Sequence, residues 1–229
     1  MKIAIMQPYF FPYLGYFQLI NAVDIFVFLD DVNYINRGWI NRNRILNNGE
    51  PYFLTLNLFN VSQNRLINEI SCGNNKGKIL KTLQHCYGKA PEFKNIFPVL
   101  QEILQNSETN LAKFVANSIK LISTYVGINK SFLFSSNIHK DNVLKGQNKI
   151  IDICKRLNAT TYINAIGGTK LYSYEDFKTN GIELFFIKSE EISYKQFSNQ
   201  FIPDLSIIDV MMFNSKDSII KMLVDYILE

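Results

Sequence analysis

Runs rich in apolar residues alternate with helical stripes of apolar residues along this chain. The runs predict buried strands at 2–6, 25–29, 131–135, 160–164 and 182–187. Apolar spacings of three, four and seven residues predict helices at 15–21, 76–88, 92–126 with a break near Ser107, 142–157 and 216–228. A polar loop is expected at 32–44, and a period-two pattern predicts an extended segment at 52–57. Strands that alternate with helices favour an α/β fold with a mostly parallel sheet flanked by helices.

Length and composition limit the classes of protein that this chain can be. Its 229 residues are expected to form one α/β domain over 1–229, with 76–126 as a helical insertion. With 47% hydrophobic and 14% aromatic residues the chain can bury a substantial core, which argues against disorder. The net charge of +4 is too small an excess to indicate nucleic-acid binding. It is compatible with an anionic small-molecule partner such as a nucleotide sugar.

The cysteines and the N-terminal residues indicate the compartment. Three cysteines are present: Cys72, Cys86 and Cys154. Their odd number and spacing argue against a disulfide framework and against a cysteine metal site, which favours a reducing cytoplasm. Gln7, Pro8 and Pro12 interrupt the N-terminal apolar stretch, so no signal peptide is expected. The apolar run 25–29 is far shorter than the ~20 residues that cross a bilayer, so no membrane insertion is expected either. The oligomeric state is left open.

Polar residues follow the first two predicted strands directly. Gln7 comes after the first strand, and Asp30 and Asp31 come after the second. Ligands of open α/β sheets bind outside the carboxyl ends of the strands. An aspartate there could act as a general base or hold a divalent cation. Alternatively, one of the two caps the following loop by accepting from backbone N–H groups. Adjacent strand residues face opposite ways, so only one aspartate would reach a given pocket unless the strand has already ended.

A basic cluster with one aromatic residue follows: Arg37, Trp39, Asn41, Arg42 and Arg44. Guanidinium groups bind phosphate through paired hydrogen bonds, and Trp39 could stack on a base or a sugar ring. The alternative is a solvated positive surface on which Trp39 is a packing anchor. We favour ligand contact, with pyrophosphate as the anion. We therefore expect the N-terminal carboxylates and the guanidinium groups to meet in one cleft.

The chain contains two histidines, His85 and His139, which argues against a multi-histidine metal site. His85 is a candidate base. His139 lies near Ser135, Ser136 and Lys140, but a Ser/His nucleophile built there has no third group to orient it.

Further candidate residues lie in the C-terminal half. Lys145 could neutralise a phosphate, whereas Lys149 could equally lie on a solvated helix face. Gly167 and Gly168 follow a predicted strand without a full dinucleotide or P-loop motif, and they are interpreted as a tight turn that lines the pocket. Gln196 is a candidate substrate contact.

Residues 203–209 read as the start of another helix. Asp204 or Ser206 is its candidate N-cap. Asp209, three residues beyond Ser206, is expected to take part in capping rather than in catalysis.

Several of these segments resemble the WbqC-like proteins. They are Met6 to Leu19, Leu29 to Val32, Trp39 to Arg44, Tyr162 with Gly167 and Gly168, and Leu205 to Asn214. The resemblance covers nearly the whole chain. It implies a bacterial protein of surface-polysaccharide synthesis, such as that of the O-antigen of lipopolysaccharide. It also implies a role in modifying a sugar, by acylation or aminoacylation of an amino sugar.

The strand–turn–helix–strand opening is also similar to nucleotidylyltransferase-like Rossmann folds, which bind ATP. This chain departs from their histidine motif, since Tyr13 and Tyr16 occupy the corresponding places. Tyrosine is neutral at pH 7, so adenylyl transfer of the usual kind is in doubt.

The leading hypothesis is a cytoplasmic transferase that acts on a nucleotide-linked amino sugar, with an acyl or aminoacyl donor. Asp30 or Asp31 would be the base, with His85 next. The anion clamp would be Arg42, Arg44 and Lys145. The remaining substrate contacts would be Gln7, Tyr9, Tyr16, Trp39, Asn41, Gly167, Gly168 and Gln196. The alternatives are an ATP- and magnesium-dependent nucleotidyl transferase or ligase, and a sugar-nucleotide-binding protein without catalysis.

Overall fold

The computed structural model describes residues 1–197 and 200–229. The strands in this part of the chain are β1 (Lys2–Met6), β2 (Ile25–Phe28), β3 (Arg42–Asn47), β4 (Glu50–Thr55), β5 (Leu58–Phe59), β6 (Ser71–Cys72), β7 (Ser131–Phe134), β8 (Thr161–Ala165), β9 (Glu183–Ser189) and β10 (Tyr226–Leu228). The helices are α1 (Leu14–Ala22), α2 (Lys76–Tyr87), α3 (Phe93–Gln105), α4 (Leu111–Tyr125), α5 (Gly146–Arg156), α6 (Tyr174–Thr179), α7 (Ile207–Phe213) and α8 (Lys216–Met222). Short 3₁₀ turns lie at Ile67–Glu69, Ser135–Asn137 and Ile166–Leu171.

The central sheet has six strands in the order β10-β9-β8-β1-β2-β7. All neighbouring pairs are parallel except β9 and β10. The chain runs from β1 outward through β2 to β7, and then returns to the other side of β1 for β8 and β9. This order of the five parallel strands is the Rossmann-like one, with its switch point between β1 and β8. The prediction of a mostly parallel, Rossmann-like α/β sheet is confirmed.

Both faces of the sheet are covered, as a parallel sheet requires. Phe26 and Phe28 of β2 point into the larger core, which α1 and α4 cover. Ile3, Ile5 and Val27 point the other way, into a smaller core under α5 and α6. The strands therefore read as continuous apolar runs, and polar residues begin where the strands stop.

The helical segment between β6 and β7 contains α2, α3 and α4. The predicted break near Ser107 is confirmed, because α3 ends at Gln105 and α4 begins at Leu111. Asn110 caps α4 by accepting a 3.1 Å hydrogen bond from the backbone N–H of Lys113. Within the part of the chain that the structure describes, no helix is both long and apolar enough to cross a bilayer.

Two predicted elements were wrong in type. The predicted helix 216–228 stops at Met222, and Tyr226–Leu228 instead pairs antiparallel with β9, whose outer edge offers backbone hydrogen bonds. The predicted loop 32–44 ends early, since β3 begins at Arg42 and forms a hairpin with β4. Asn48 and Gly49 both have positive φ (51° and 82°) at the turn of that hairpin, which is the Asn-Gly signal for a tight two-residue connection.

Candidate functional site

Asp30 lies at the carboxyl end of β2, two residues beyond the last strand residue. It is 2% exposed, and both of its carboxylate oxygens accept hydrogen bonds. Oδ1 accepts from Ser135 Oγ (3.1 Å) and Ser136 N (3.0 Å), and Oδ2 accepts from Ser136 Oγ (2.6 Å) and Asn68 Nδ2 (3.3 Å). Ser135 and Ser136 follow β7, the neighbouring parallel strand, so two adjacent strand ends hold this carboxylate.

Asp31 has a different environment although it is the next residue. Its Oδ2 is 2.7 Å from Lys140 Nζ and 3.0 Å from Lys149 Nζ, and its Oδ1 accepts from Ser135 Oγ. Burial opposes ionisation of Asp31, but the hydrogen bonds from Lys140, Ser135 and Lys149 outweigh it and hold its pKa below the ordinary value. Because β2 has already ended, both aspartates reach Ser135. Asp31 is engaged by two cations, whereas Asp30 is free of them.

Asp30 borders a cavity of about 520 Å³, here called the Asp30 cavity. The other residues that line it are Asn68, Asn106, Glu108, Asn110, Lys113, Asn117, Lys120, Phe134, Ser136 and Asn137. Carboxamides both donate and accept hydrogen bonds, as sugar hydroxyls do. Ammonium groups bind phosphate or carboxylate, and an aromatic ring packs against the apolar face of a sugar. The lining also contains the carboxylates of Asp30 and Glu108, which equal the two lysines in number. It therefore suits a polyhydroxylated small molecule whose anionic group lies beside the lysines.

The basic loop contributes to a second cavity, of about 270 Å³, here called the Arg44 cavity. Its lining residues are Tyr13, Trp39, Asn43, Arg44 and Asp204. The Arg44 guanidinium lies 5.9 Å from the Trp39 ring centroid, and its Nη2 donates to the Asp204 carbonyl at 3.0 Å. Its buried Nε has no hydrogen-bond partner among the described residues. The Arg44 cavity is therefore lined by a guanidinium group and by an exposed indole.

The single cleft predicted for the carboxylates and guanidinium groups is replaced by these two cavities, which share no lining residue. The reason is the path of the loop between β2 and β3. It crosses the carboxyl end of β1, where Phe10 N donates to Trp39 O at 2.9 Å, instead of staying over β2 and β7.

Two members of the basic cluster hold this loop in place. The Arg42 guanidinium donates to the carbonyls of Gly38 (Nε, 3.2 Å) and Arg37, and it lies 4.5 Å from the Phe53 ring centroid. Asn41 accepts from Tyr34 Oη and donates to Leu56 O, both at 2.8 Å. The side chains of Arg42 and Asn41 therefore already bind other groups of the protein.

The switch point between β1 and β8 holds another group of predicted residues. Gln7 follows β1, and Gly167 follows β8 with open space where a Cβ atom would lie. Tyr9 packs on Tyr16 with a centroid distance of 5.6 Å, and burial raises the pKa of Tyr9 to about 12. Tyr16 is 1% exposed and donates to the carbonyl of Gln7 at 2.8 Å, so it supports this turn, and its contact with a ligand stays a prediction.

Gly167 and Gly168 belong to the 3₁₀ turn Ile166–Leu171 rather than to the tight turn that was predicted. A Cβ atom on Gly168 would lie 3.2 Å from Asn164 Nδ2, so a small residue is needed for the turn to pack on β8. Neither glycine lines the Asp30 cavity.

The remaining predicted residues lie away from the Asp30 cavity. His85 is exposed on α2 and lines a different cavity with Cys86 and Asn48. Lys145 is exposed as the residue before α5. Gln196 is 3% exposed, and its Nε2 donates to Asp209 Oδ2 at 2.7 Å and to Ile202 O at 3.1 Å. Gln196 therefore has a structural role, and its contact with a substrate stays a prediction.

Asp209 was expected to take part in capping α7. This prediction was wrong, because its side chain bonds to residues outside the helix. Ser206 does cap α7, by accepting from Ile208 N at 3.2 Å. The Asp209 carboxylate points into the core and accepts from Tyr87 Oη (2.8 Å), Tyr194 Oη (2.8 Å) and Gln196 Nε2. Burial raises the pKa of Asp209, although these three hydrogen bonds oppose the shift.

Sequence reasoning missed most of the lining of the Asp30 cavity. Residues 110, 113, 117 and 120 are polar or basic at spacings of three and four, which is one face of a helix. That pattern was visible in the sequence. Asn68 lies in the 3₁₀ turn Ile67–Glu69 between β5 and β6, and no sequence pattern predicted that it lies beside Asp30. The sequence left two alternatives open for Lys149, a solvated helix face or a phosphate contact. In the structure Lys149 is buried against Asp31.

The model of the WbqC-like protein family matches residues 7–221 of the chain. An uncharacterized protein of Mycobacterium tuberculosis (strain ATCC 25618 / H37Rv), Rv1507c, is 28% identical over 222 residues, which cover 93% of each of the two chains. No solved structure matches the chain.

Proposed function

The chain belongs to the WbqC-like protein family, and from this premise we propose that it is a transferase that modifies an amino sugar on a nucleotide-linked precursor. The reaction is acyl or aminoacyl transfer to the sugar amine. It takes place in the cytoplasm, as a step in the synthesis of a bacterial surface polysaccharide such as O-antigen. The resemblance of the sequence to the WbqC-like proteins supports the assignment of the chain to that pathway.

The Asp30 cavity carries this proposal. It lies at the carboxyl edge of a parallel sheet, where ligands of such folds bind. Its wall combines carboxamides, which suit sugar hydroxyls, with ammonium groups, which suit phosphate. The carboxylate of Asp30 borders this space and is held in place by Ser135 and Ser136.

Asp30 is the proposed general base. The amine nitrogen of the sugar bonds to the acyl carbon of the donor, and the bond from that carbon to the leaving group breaks. The amine loses a proton in this step, which Asp30 accepts and passes to the leaving group. The 3.3 Å contact from Asn68 Nδ2 is the longest of the four hydrogen bonds to Asp30, and it is the one that the amine replaces. Asp31 is unsuited to this role because Lys140 and Lys149 occupy its carboxylate.

A transfer reaction also needs a place for the donor. The acyl carbon of the donor must meet the amine beside Asp30, so we place the acyl group of the donor in the Asp30 cavity. We propose that the Arg44 cavity, with its guanidinium group and the Trp39 ring, binds another, anionic part of the ligand. Gln7 and Tyr9 lie at the switch point of the sheet, and we propose that they position the substrate.

The experiment is a turnover assay on the purified chain. Nucleotide-linked amino sugars and activated acyl or aminoacyl donors are incubated with the protein, and products are identified by mass spectrometry. We expect Asp30→Asn to lower turnover by at least about 100-fold, the usual contribution of a general base. Asp217→Asn, a carboxylate at the start of α8, serves as the control. Unchanged turnover in Asp30→Asn would remove Asp30 from the mechanism.

The strand order favours a second candidate, ATP-dependent nucleotidyl transfer or ligation, since Rossmann-like sheets bind nucleotides at the switch point. Release of pyrophosphate from ATP and magnesium, with no transfer from acyl donors, would select this candidate. Tight binding of a nucleotide sugar with no conversion under any condition would instead indicate a binding protein.

A further inference from the structure

Helix α4 presents a polar stripe to the Asp30 cavity. The stripe, here called the α4 stripe, consists of Asn110, Lys113, Asn117 and Lys120. The opposite side of the helix is apolar and buried, with Phe114, Val115 and Ile119 at most 1% exposed. Seven residues separate Lys113 from Lys120, which places their Cα atoms about 10 Å apart along one wall of the cavity. Asn117 lies between them.

The ammonium group of Lys120 has only aromatic rings as neighbours that could accept its charge among the described residues. The Nζ atom lies 5.3 Å from the ring centroid of Phe134, 5.8 Å from that of Phe132 and 6.0 Å from that of Phe28. Among the residues that the structure describes, it makes neither a hydrogen bond nor an ion pair. Burial lowers the pKa of Lys120, which is the cost of removing an ammonium group from water without replacing its hydrogen bonds. An anion in the cavity would supply the missing acceptor.

The other cations near this edge of the sheet are already engaged. Lys140 and Lys149 form ion pairs with Asp31. Arg42 is bound to loop carbonyls. Lys113, by contrast, is exposed, and it has no carboxylate within ion-pair distance in residues 1–197 and 200–229. The unpaired positive charge of the Asp30 cavity therefore comes from the two lysines of α4.

We propose that the α4 stripe binds the diphosphate of the nucleotide-linked sugar, with Lys113 and Lys120 on phosphoryl oxygens and the Asn117 amide donating between them. This inference rests on the proposed function, since it takes the substrate to be a nucleotide sugar. A diphosphate diester carries two negative charges, and the stripe supplies two ammonium groups on long, flexible stems that can converge on it. The proposed diphosphate contacts therefore lie on α4 and not at Arg42 or Lys145.

The placement also orients the substrate. With its diphosphate along α4, the ligand has its sugar on the side of the cavity that Asp30, Asn68 and Ser136 line. The amine that is to be modified then lies next to the carboxylate that takes its proton. The nucleoside extends in the opposite direction, away from Asp30.

Isothermal titration calorimetry of the full chain tests this inference, with inorganic pyrophosphate and orthophosphate at matched ionic strength as probes. We expect pyrophosphate to bind more tightly than orthophosphate, and its affinity to fall as salt is added. Lys113→Gln and Lys120→Gln should each weaken pyrophosphate binding by at least about tenfold, the loss expected for a hydrogen bond to a charged group. Lys120→Arg keeps the charge and should retain most of the affinity. Lys94→Gln, an exposed lysine of α3, is the matched control.

The outcomes separate this inference from the proposed function. Full pyrophosphate affinity in both lysine variants, no binding by the parent chain, or an equal loss in Lys94→Gln would overturn the role of α4. If turnover still depends on Asp30, the transferase survives that failure. Pyrophosphate binding that depends on Lys113 and Lys120, without turnover of any sugar, would uphold the role of α4 and contradict the transferase.

Discussion

Asp31 is a partly buried carboxylate and Asp209 a fully buried one, and their surroundings differ in kind. Asp31, at the edge of the sheet, meets two ammonium groups, Lys140 at 2.7 Å and Lys149 at 3.0 Å. Asp209 is 0% exposed, and the side chains that donate to it among the described residues are neutral: Tyr87, Tyr194 and Gln196. The pKa of Asp31 is accordingly lowered and that of Asp209 is raised. Burial disfavours the charge at both sites, and only at Asp31 is it outweighed, by the hydrogen bonds from Lys140, Ser135 and Lys149.

The comparison shows how the two regions are used. The lysines around Asp31 neutralise one of two adjacent carboxylates and tie the end of β2 to α5 and to the loop that precedes it. The neighbouring Asp30 is then the carboxylate of the two that borders the cavity. Around Asp209, four segments (β3, α2, α7 and the stretch at 194–196) meet through hydrogen bonds, since Tyr87 Oη also accepts from Leu46 N at 2.9 Å. The Asp209 region joins segments and does not border the Asp30 cavity.

The largest effect on stability is expected from Asp31→Asn. This change leaves Lys140 and Lys149 buried without an anion, and removal of one partner from a buried ion pair costs about 3 kcal/mol or more. The free energy of unfolding, measured by urea denaturation at pH 7, should fall by that amount. Asp217→Asn at the start of α8 should change it by less than about 0.5 kcal/mol. A loss for Asp31→Asn no greater than that of the control would show that the lysines do not depend on Asp31.

The sequence predicted the frame of this site better than its lining. Gln7 and Asp30 were placed correctly at one edge, because buried parallel strands are apolar runs whose ends are visible in the sequence. Arg44 was misplaced because its position depends on the hairpin of β3 and β4 and on the loop that crosses β1. The contacts of Lys140 with Asp31 and of Asp209 with Tyr87 could not be predicted for a related reason. The two residues of each pair lie more than 100 positions apart in sequence, and neither charge nor spacing identifies such pairs.

An effect of intermediate size is expected from the opposite pKa shifts of Asp31 and Asp209. The two shifts make the free energy of unfolding depend on pH with opposite signs. The lowered pKa of Asp31 contributes stability that is present above the unfolded value of about 3.8 and is lost as pH falls below it. The raised pKa of Asp209 contributes stability that is present below 3.8 and is lost as pH rises through the folded pKa.

Urea denaturation of the parent chain, Asp31→Asn and Asp209→Asn between pH 2.5 and 7 measures this difference. The stability advantage of the parent over Asp31→Asn should grow as pH rises toward about 4 and then level off, because only the parent gains from ionisation. Its advantage over Asp209→Asn should shrink as pH rises above about 4, because the asparagine carries no buried charge. Two profiles of the same slope would mean that the two carboxylates do not differ as described.

The smallest effect is expected from Tyr194→Phe, which removes one of the three donors to Asp209. Oδ2 of Asp209 keeps Gln196 at 2.7 Å and Oδ1 keeps Tyr87, so the cost at pH 7 should be about 1 kcal/mol, the usual net value of one hydrogen bond. The Tyr194 hydroxyl also lowers the pKa of Asp209, so its loss should raise that pKa further and cost more at pH 7 than at pH 4. Tyr174→Phe, at a tyrosine that is 55% exposed, is the control and should leave unfolding unchanged at both pH values. An equal cost for Tyr194→Phe at the two pH values would mean that its hydroxyl does not stabilise the ionised carboxylate.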